Sequence, residues 1–382
     1  MPLAATPAGP PRPRLVELDV LRAAAMGLVL VNHLFMMPFP ATWPAWAHRL
    51  FDAGVCGGWV GVDLFFVLSG YLVSGLLFAE YRARGTLTVK RFYARRAWKI
   101  YPAYYAMLAT TVLGTALAYG RPPTENLCSE ALFLQNYLPA VWLHTWSLAV
   151  EEHFYLLLPL VLLAFVRRKP GAADPFARVL PLTVLAVAVA CLTLRVLHAE
   201  LLPDASVSVR IIRTHFRIDG LFLGVLVGYA AHFHADRFAR VSRPWRWPLI
   251  AGGCAALVPP FVQVHTEHPW LTTYGLTLNS LASCAILTGL LHVRLPANRV
   301  VAATATLGRC SYAIYLWHIP WVLLGVPQLE RLFGEPLDFA PRVFVYVAGS
   351  VGLGVLMTKL VEVPTLRLRE RLSPATLVSP TR

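Results

Sequence analysis

Apolar residues run along this chain in ten long blocks separated by shorter polar segments. Each block is close to the roughly 20 residues that an α-helix needs to cross a bilayer. No block alternates as a membrane-barrel strand does, and backbone groups in lipid must be satisfied within the helix. The pattern therefore predicts an all-α, polytopic membrane bundle of about ten transmembrane helices, over residues 15–37, 59–79, 98–119, 146–166, 179–198, 214–234, 246–264, 271–292, 307–326 and 342–362.

Composition and the distribution of basic residues add a location and an orientation. The chain is 57% apolar and only 14% charged, whereas soluble domains carry about 25% charged residues. With the N-terminus in the cytoplasm, the segments on that side hold 24 Lys and Arg, and the opposite segments hold seven. This is the positive-inside bias, so we expect a multi-pass protein of the inner (plasma) membrane with both termini cytoplasmic. We therefore attribute the net charge of +14 to contact with membrane lipid, and we expect no nucleic-acid partner.

One membrane domain accounts for most of the chain. Residues 1–14 are Pro-rich and lack the apolar core of a signal peptide, so we predict a disordered cytoplasmic tail there. The membrane domain is predicted over residues 15–364 and a basic cytoplasmic tail over 365–382. The six cysteines show no metal-binding spacing, and we expect no metal.

The first apolar block, LVELDVLRAAAMGLVLVNHLFMM, carries a polar stripe. Arg22 and His33 are eleven residues apart, which is about three helical turns, so both lie on one face roughly 16 Å apart along the axis. Ionisable groups inside a membrane helix usually face a protein interior or a watery cavity. We interpret the stripe as part of a site. The alternative is an Asp19–Arg22 structural pair with a hydrogen-bonded histidine.

The second block, GGWVGVDLFFVLSGYLVSGLL, brings in a carboxylate. Asp63 and His33 are predicted at the same membrane depth, and a carboxylate beside an imidazole fixes its tautomer. Asp63 is therefore a candidate partner of His33. Alternatively, it caps the start of its helix, where a negative charge suits the dipole.

A basic cluster precedes the third block, in VKRFYARRAWKIYPAYY. Positive side chains at the start of a helix hold phosphates by charge and through free backbone N–H groups. The alternative is an anchor that contacts lipid headgroups. The candidate phosphate-binding residues are Arg91, Arg95, Arg96 and Lys99.

Further ionisable residues fall in later blocks. Glu151 and Glu152 lie one turn into the fourth block, and neighbouring carboxylates diverge by about 100°, so we expect only one of them to face a site. Arg217 and Asp219 open the sixth block and are expected to pair with each other or with the glutamates. His318, in the ninth block, is either a second site residue or a hydrogen-bonded core histidine.

Taken together, the motifs resemble the acyltransferase-3 family of membrane O-acyltransferases. The resemblance covers nearly the whole chain in family order. Arg22 and His33 match the family's Arg and His eleven apart in the first helix, and the family's Arg-x-x-Arg pair is Arg96 and Lys99 here. The chain resembles the stand-alone members without a fused outer hydrolase domain. The matching segments are LDVLRAAAMGLVLVNH, GVDLFFVLSGYLVSG, FYARRAWKIYPAYY, TWSLAVEEHFYLLLPL, RIDGLFLG, LGRCSYAIYLWHIP and VEVPTLRLR.

The resemblance implies transfer of an acyl group, with acetyl expected, from acyl-CoA to a hydroxyl of a cell-surface glycan or a small molecule. His33 is then the general base or a transient acyl carrier. Arg22 polarises the thioester, and Asp63 or Glu151 orients the imidazole. Glu152, Arg217, Asp219 and His318 are candidates for substrate binding. The competing hypothesis is a proton-coupled transporter or flippase that uses the same buried charges without covalent chemistry.

Overall fold

The structure is a computed structural model that describes residues 15–120, 125–264 and 266–372. Within those ranges the chain forms helices and connecting loops, and no β-strand occurs there. The prediction of an all-α fold is confirmed. The predicted tail 1–14 and the last ten residues of the predicted tail 365–382 lie outside the described residues, while the start of the latter continues a helix that ends at Leu372.

The described part of the chain contains eighteen α-helices, with short 3-10 and π-helical turns between some of them. In chain order they are α1 (Val16–Asn32), α2 (Ala45–Gly57), α3 (Val60–Arg84), α4 (Val89–Tyr119), α5 (Leu127–Ala131), α6 (Trp146–Arg168), α7 (Val179–Leu201), α8 (Ser208–Ile212), α9 (Thr214–Phe233), α10 (Ala235–Ser242), α11 (Arg246–Ala256), α12 (Pro259–Val262), α13 (Tyr274–Leu290), α14 (Arg299–Arg309), α15 (Ser311–Pro320), α16 (Val326–Phe333), α17 (Phe339–Met357) and α18 (Val363–Leu372).

Six helical segments of the described chain are long and apolar enough to cross a membrane. Large aliphatic side chains such as Leu182 and Leu185 on α7 are exposed on the outside of the bundle, as a lipid-facing surface requires. The chain is therefore a multi-pass membrane protein. The six segments are Val16–Met36, Ala45–Arg84, Leu143–Arg168, Val179–Leu201, Ser208–Phe233 and Phe339–Leu372.

Four of the ten predicted spans are not among these six segments. The apolar part of α4 is diluted by tyrosines and threonines, and the block 246–264 is divided between α11 and the short α12. The helix α13 is apolar but has only 17 residues. The block 307–326 is interrupted between α14 and α15 and ends in a π-helical turn. The number of spans and the cytoplasmic location of the termini stay predictions.

The helix α3 lies at the centre of the bundle and packs against α1, α6, α9 and α13. Its closest neighbour is α9, because glycines let the two backbones approach each other. A Cβ atom on Gly70 would lie 1.9 Å from the carbonyl oxygen of Leu221, and one on Gly224 would lie 2.1 Å from that of Val67. Gly70 and Gly224 therefore serve close helix packing.

Two buried ion pairs join α9 to its neighbours. Asp63 on α3 accepts a hydrogen bond from Arg217 at 2.7 Å, and Asp219 accepts one from Arg195 on α7 at 2.8 Å. All four side chains are almost completely buried. Charges inside a membrane bundle are tolerated when they are paired, so these contacts fix how α3, α7 and α9 sit against one another.

Candidate active site

A cavity of about 360 Å³ lies between α1, α3, α4, α6 and α15, and we call it the charged cavity. Its lining on α3 extends from Val62 to Leu76, which is about 21 Å at 1.5 Å per residue. Apolar residues and tyrosines make up most of the whole lining. The five charged side chains that line it are Arg22, Arg96, Lys99, Glu151 and Glu152.

Both adjacent glutamates face the charged cavity, so the expectation that only one of them would do so was wrong. The cavity wraps around α6, and side chains that diverge by about 100° reach two parts of one wall. Glu151 accepts a hydrogen bond from Tyr155 at 2.7 Å, and Glu152 accepts one from Tyr101 at 3.2 Å. Ser69 lies 2.5 Å from the Tyr155 hydroxyl, so a hydrogen-bonded chain links α3 to Glu151.

The basic cluster at the start of α4 divides into two parts. Arg96 and Lys99 line the charged cavity, whereas Arg91 and Arg95 do not, and Arg95 is exposed. The guanidinium of Arg96 lies 5.0 Å from the centroid of the Tyr155 ring, which is a cation–π contact. Arg96 therefore lies on the side of the charged cavity that is formed by α6, which also carries the two glutamates.

Lys99 pairs with Glu362 in the π-helical turn between α17 and α18. Glu362 is almost fully buried and points toward α4, which brings it to Lys99. The contact anchors the C-terminal part of the bundle at one end of the charged cavity.

Arg22 donates a hydrogen bond to Asp19 at 2.8 Å and also lines the charged cavity. Asp19 is buried and lies 3.8 Å from Arg309, a second cation on α14. The two alternatives for Arg22 are therefore compatible. Its guanidinium bonds Asp19, and the same side chain lines the charged cavity.

A second cavity of about 330 Å³ lies at the other end of α1, and we call it the histidine cavity. It is lined by His33 and His144, by the aromatic side chains Phe35, Trp59 and Trp146, and by several aliphatic side chains. Prolines follow in the segment MMPFP, and α1 ends at Asn32 as the chain turns into a short 3-10 helix that starts at His33.

The tautomer of His33 follows from its backbone contact. Its Nδ1 lies 2.8 Å from the carbonyl oxygen of Val29, which only accepts hydrogen bonds. The proton is therefore on Nδ1, and Nε2 keeps a lone pair. A neutral imidazole held in this way has its second nitrogen ready to take a proton from a hydroxyl.

His33 belongs to a group of three imidazoles. The ring centroid of His318 lies 4.8 Å from that of His33 and 5.1 Å from that of His144. His318 is fully buried, and its Nδ1 donates to the carbonyl oxygen of Tyr315 at 2.6 Å. His318 is thus a hydrogen-bonded buried histidine and a neighbour of His33, so the two alternatives for it are compatible.

The two cavities are neighbours that share Val62 and Tyr315 in their walls. The Tyr315 hydroxyl donates to the carbonyl oxygen of His144 at 2.5 Å and lies 2.6 Å from the Ser147 hydroxyl. The two cavities meet at this point and are separate, so neither of them extends from the arginines to His33. Arg22 and His33 lie on opposite sides of the division, one in each cavity.

The structure does not bring Asp63 to His33, and that predicted pairing was wrong. Asp63 accepts a hydrogen bond from Arg217 on α9 and lies 3.4 Å from Asn279 on α13, so its carboxylate is held by those two helices. The predicted Arg217–Asp219 pair was also wrong, since each residue has a partner on another helix. The side chains of Asp63, Arg217 and Asp219 line neither cavity.

The sequence analysis missed His144, Tyr155 and the tryptophans of the histidine cavity. His144 is in a short 3-10 turn before α6, where no periodic pattern identifies a buried side. Tyr155 is four residues after Glu151, a spacing that places both on one helix face and predicts their contact.

The connection before α6 is held by Glu130, which accepts hydrogen bonds from Trp142, Thr145 and Tyr104.

Comparison with known proteins identifies the family of the chain. The family model described as an acyltransferase domain matches residues 15–359. The chain belongs to the acyltransferase-3 family. The match begins before Arg22 and ends after the three histidines, so one family domain contains both cavities.

Two bacterial proteins are similar to the chain. The peptidoglycan O-acetyltransferase OatA of Listeria monocytogenes is 26% identical over 377 residues, which cover 91% of this chain and 55% of that protein. The O-acetyltransferase OatA of Staphylococcus aureus is 27% identical over 335 residues, covering 81% of this chain and 51% of its own length. The chain thus spans about half the length of the curated relatives it matches. No solved structure gives a significant match.

Proposed function

We propose that the chain transfers an acyl group, with acetyl as the expected group, from acyl-CoA to a hydroxyl of a cell-envelope glycan. The observation that carries the proposal is the pair of adjoining cavities, one with cationic side chains and the other with His33. Membership in the acyltransferase-3 family and the O-acetyltransferase names of the two relatives support the same chemistry.

The charged cavity suits the donor. Arg96 and Lys99 attract the phosphates of CoA at one end, and Arg22 lies in the wall of the same cavity. The pantetheine arm is uncharged and carries two amide N–H groups. The carboxylates of Glu151 and Glu152 accept hydrogen bonds from such groups, and the apolar side chains of α3 pack against the arm. The thioester then reaches the division at Val62 and Tyr315.

The histidine cavity suits the acceptor. His33 Nε2 takes the proton of the acceptor hydroxyl while Val29 holds Nδ1. The hydroxyl oxygen forms a bond to the acyl carbon, the carbon–sulfur bond breaks, and the thiolate takes the proton back from His33. An ester and a free CoA thiol are formed, so atoms and charge balance. Arg22 lies in the charged cavity, about 16 Å along α1 from His33, so its positive charge acts on the donor's binding and not on the reacting carbonyl.

Release of the thiol tests this proposal directly. Purified protein in nanodiscs is incubated with acetyl-CoA and a soluble glycan fragment, and free thiol is followed with a thiol-reactive dye. The proposal predicts glycan-dependent thiol release together with an acetyl-sized mass increase of the glycan. Movement of glycan across a vesicle membrane without any thiol release would support a transporter and contradict the proposal.

A further inference from the structure

A group of arginine and histidine side chains lies where α7, α8 and α9 meet, and we call it the arginine–histidine cluster. Its members are His198 in the last turn of α7, Arg210 on α8, Arg213 directly before α9 and His215 in the first turn of α9. The Nη1 atom of Arg210 lies 3.2 Å from His198 Nδ1. Electrostatic contacts join both arginines to His198, and join Arg213 and His198 to His215. The four side chains therefore form one group.

Arg210 is a buried cation without a carboxylate partner in the described part of the chain. It is only 3% exposed, and its guanidinium donates to two neutral acceptors, the hydroxyl of Thr272 and Nδ1 of His198. Arginine stays protonated in proteins, and a buried charge without a counter-charge is strongly unfavourable. The other buried arginines of this region, Arg195 and Arg217, each pair with an aspartate. The counter-charge of Arg210 is therefore expected from outside the chain.

Arg213 adds a second unpaired charge, and this one is accessible. Its side chain is partly exposed and forms neither an ion pair nor a hydrogen bond within the residues that the structure describes. The guanidinium carbon lies 6.0 Å from the centroid of the Tyr137 ring, which itself is 40% exposed. The Tyr137 hydroxyl lies 2.9 Å from His215 Nδ1. These contacts orient the guanidinium without neutralising it, so the cluster presents two positive charges and no carboxylate of its own.

The cluster lies at the ends of two segments that are long and apolar enough to cross a membrane. Val179–Leu201 ends three residues after His198, and Ser208–Phe233 begins two residues before Arg210. The side chain of Leu201 is exposed, so apolar surface lies beside the cluster. Lipid headgroups occupy the zone where such segments end. Basic residues are scarce on this side of the predicted topology, which holds seven of them, so orientation does not account for the cluster.

We propose that the arginine–histidine cluster binds the phosphate of an anionic lipid headgroup such as that of phosphatidylglycerol. Arg213 offers a fork of N–H groups to the phosphate oxygens, and Arg210 adds its charge from below. His198 also donates from Nε2, because its Nδ1 accepts from Arg210. A zwitterionic headgroup brings an ammonium group as well, and the cluster has no carboxylate to receive it. The site lines neither cavity and does not depend on the proposed function.

Hydrogen–deuterium exchange tests the proposal at the cluster itself, although the chain has many other basic residues. The protein is placed in nanodiscs of phosphatidylcholine alone and of an equal mixture with phosphatidylglycerol, and exchange is followed in peptides from α8 and the start of α9. A headgroup that neutralises two neighbouring cations stabilises this short segment. We expect phosphatidylglycerol to slow exchange there about fivefold. Equal exchange in the two lipids would overturn the proposal.

Inorganic phosphate distinguishes a lipid from an anion in water. Millimolar phosphate added to the phosphatidylcholine nanodiscs should leave exchange at the cluster unchanged, because the apolar part of the ligand is missing. Slowing equal to that caused by phosphatidylglycerol would contradict the assignment to a lipid.

The variant Arg213→Gln keeps a polar side chain and removes the accessible charge. The slowing by phosphatidylglycerol should fall to about twofold or less. Arg331→Gln on α16 is the matched control, because Arg331 is exposed and lies outside the cluster; it should keep the full effect. Full slowing in Arg213→Gln would contradict the proposal. If that variant fails to fold, salt at about 1 M decides on the unaltered protein, because it screens the headgroup charge and should abolish the difference between the lipids. A difference that persists overturns the proposal.

Discussion

The imidazole of His318 lies edge-on against that of His33, with ring centroids 4.8 Å apart and planes inclined at 70°. Its own position is fixed by the hydrogen bond from Nδ1 to the carbonyl oxygen of Tyr315. The helix α15 thereby supports the ring at the end of α1 and, through Tyr315, also forms part of the wall between the two cavities. Through these two contacts, α15 helps to fix the position of the His33 ring.

Substitution of His318 tests this support. In His318→Ala the His33 ring loses its neighbour, and we expect kcat to fall about 100-fold, because small misplacements of a catalytic group are costly. The KM for the glycan should stay within about threefold, since His318 does not line the cavity. His318→Phe keeps a ring of similar shape and should retain more activity than the alanine variant. Equal loss in both variants would mean that the ring contact is not what matters.

Arg96 should contribute to donor binding more than to chemistry. We expect Arg96→Gln to raise the KM for acetyl-CoA about tenfold and to change kcat less than twofold, because uniform binding of substrate and transition state acts on KM. Arg240→Gln on α10 is the matched control, since Arg240 is exposed and lies outside both cavities. A fall in kcat at unchanged KM would show that Arg96 acts on the reacting atoms instead.

The buried Asp63–Arg217 pair should stabilise the bundle. Asp63→Asn leaves the Arg217 guanidinium without its counter-charge in the protein interior. Breaking a buried pair in this way costs about 3–5 kcal/mol. A shift in the denaturant or thermal unfolding of the protein in detergent checks the loss. The double variant Asp63→Leu/Arg217→Met removes both charges and should recover part of it; a double variant less stable than the single one would contradict this explanation.

Close packing of α3 on α9 depends on glycine. Gly224→Ala places a methyl group 2.1 Å from the carbonyl oxygen of Val67, so the helices must separate and the unfolding temperature should fall. Gly252→Ala on α11 is the matched control, because nothing lies within 4 Å of an added Cβ there. Alanine is favoured over glycine in a helix by about 1 kcal/mol, so the control should be neutral or stabilising. Equal loss in both variants would contradict the packing argument.

Much of the fold follows from one-dimensional information. Long apolar blocks predicted helices in a membrane, and the helix period placed Arg22 and the Asp19 carboxylate within hydrogen-bond distance. Helix breaks were harder to predict. The interruption between α14 and α15 lies beside Arg309, and the division between α11 and α12 comes directly before Pro259 and Pro260, both inside blocks that are apolar on average. Hydropathy measures transfer to lipid and does not report where backbone hydrogen bonding is interrupted.

The site was predicted in its parts but not in its pairing. Arg22, Arg96, Lys99, Glu151 and His33 all line one of the two cavities. The partner of Asp63 was missed because depth in the membrane does not tell which side of α3 faces α1 and which faces α9. His144 was missed because its burial comes from contacts with α15, far away in the sequence. Such contacts depend on how helices that are far apart in the sequence pack together, and this packing cannot be read from one sequence alone.

The most direct test of the account is turnover by His33→Gln, reconstituted at the same abundance as the unaltered protein. Glutamine keeps a polar side chain in the histidine cavity but lacks a base that accepts and returns a proton. General base catalysis contributes about 10²–10⁴-fold. Acetyl transfer to glycan should therefore fall at least 100-fold, with acetyl-CoA binding unchanged. Transfer within about threefold of the unaltered protein would contradict the account.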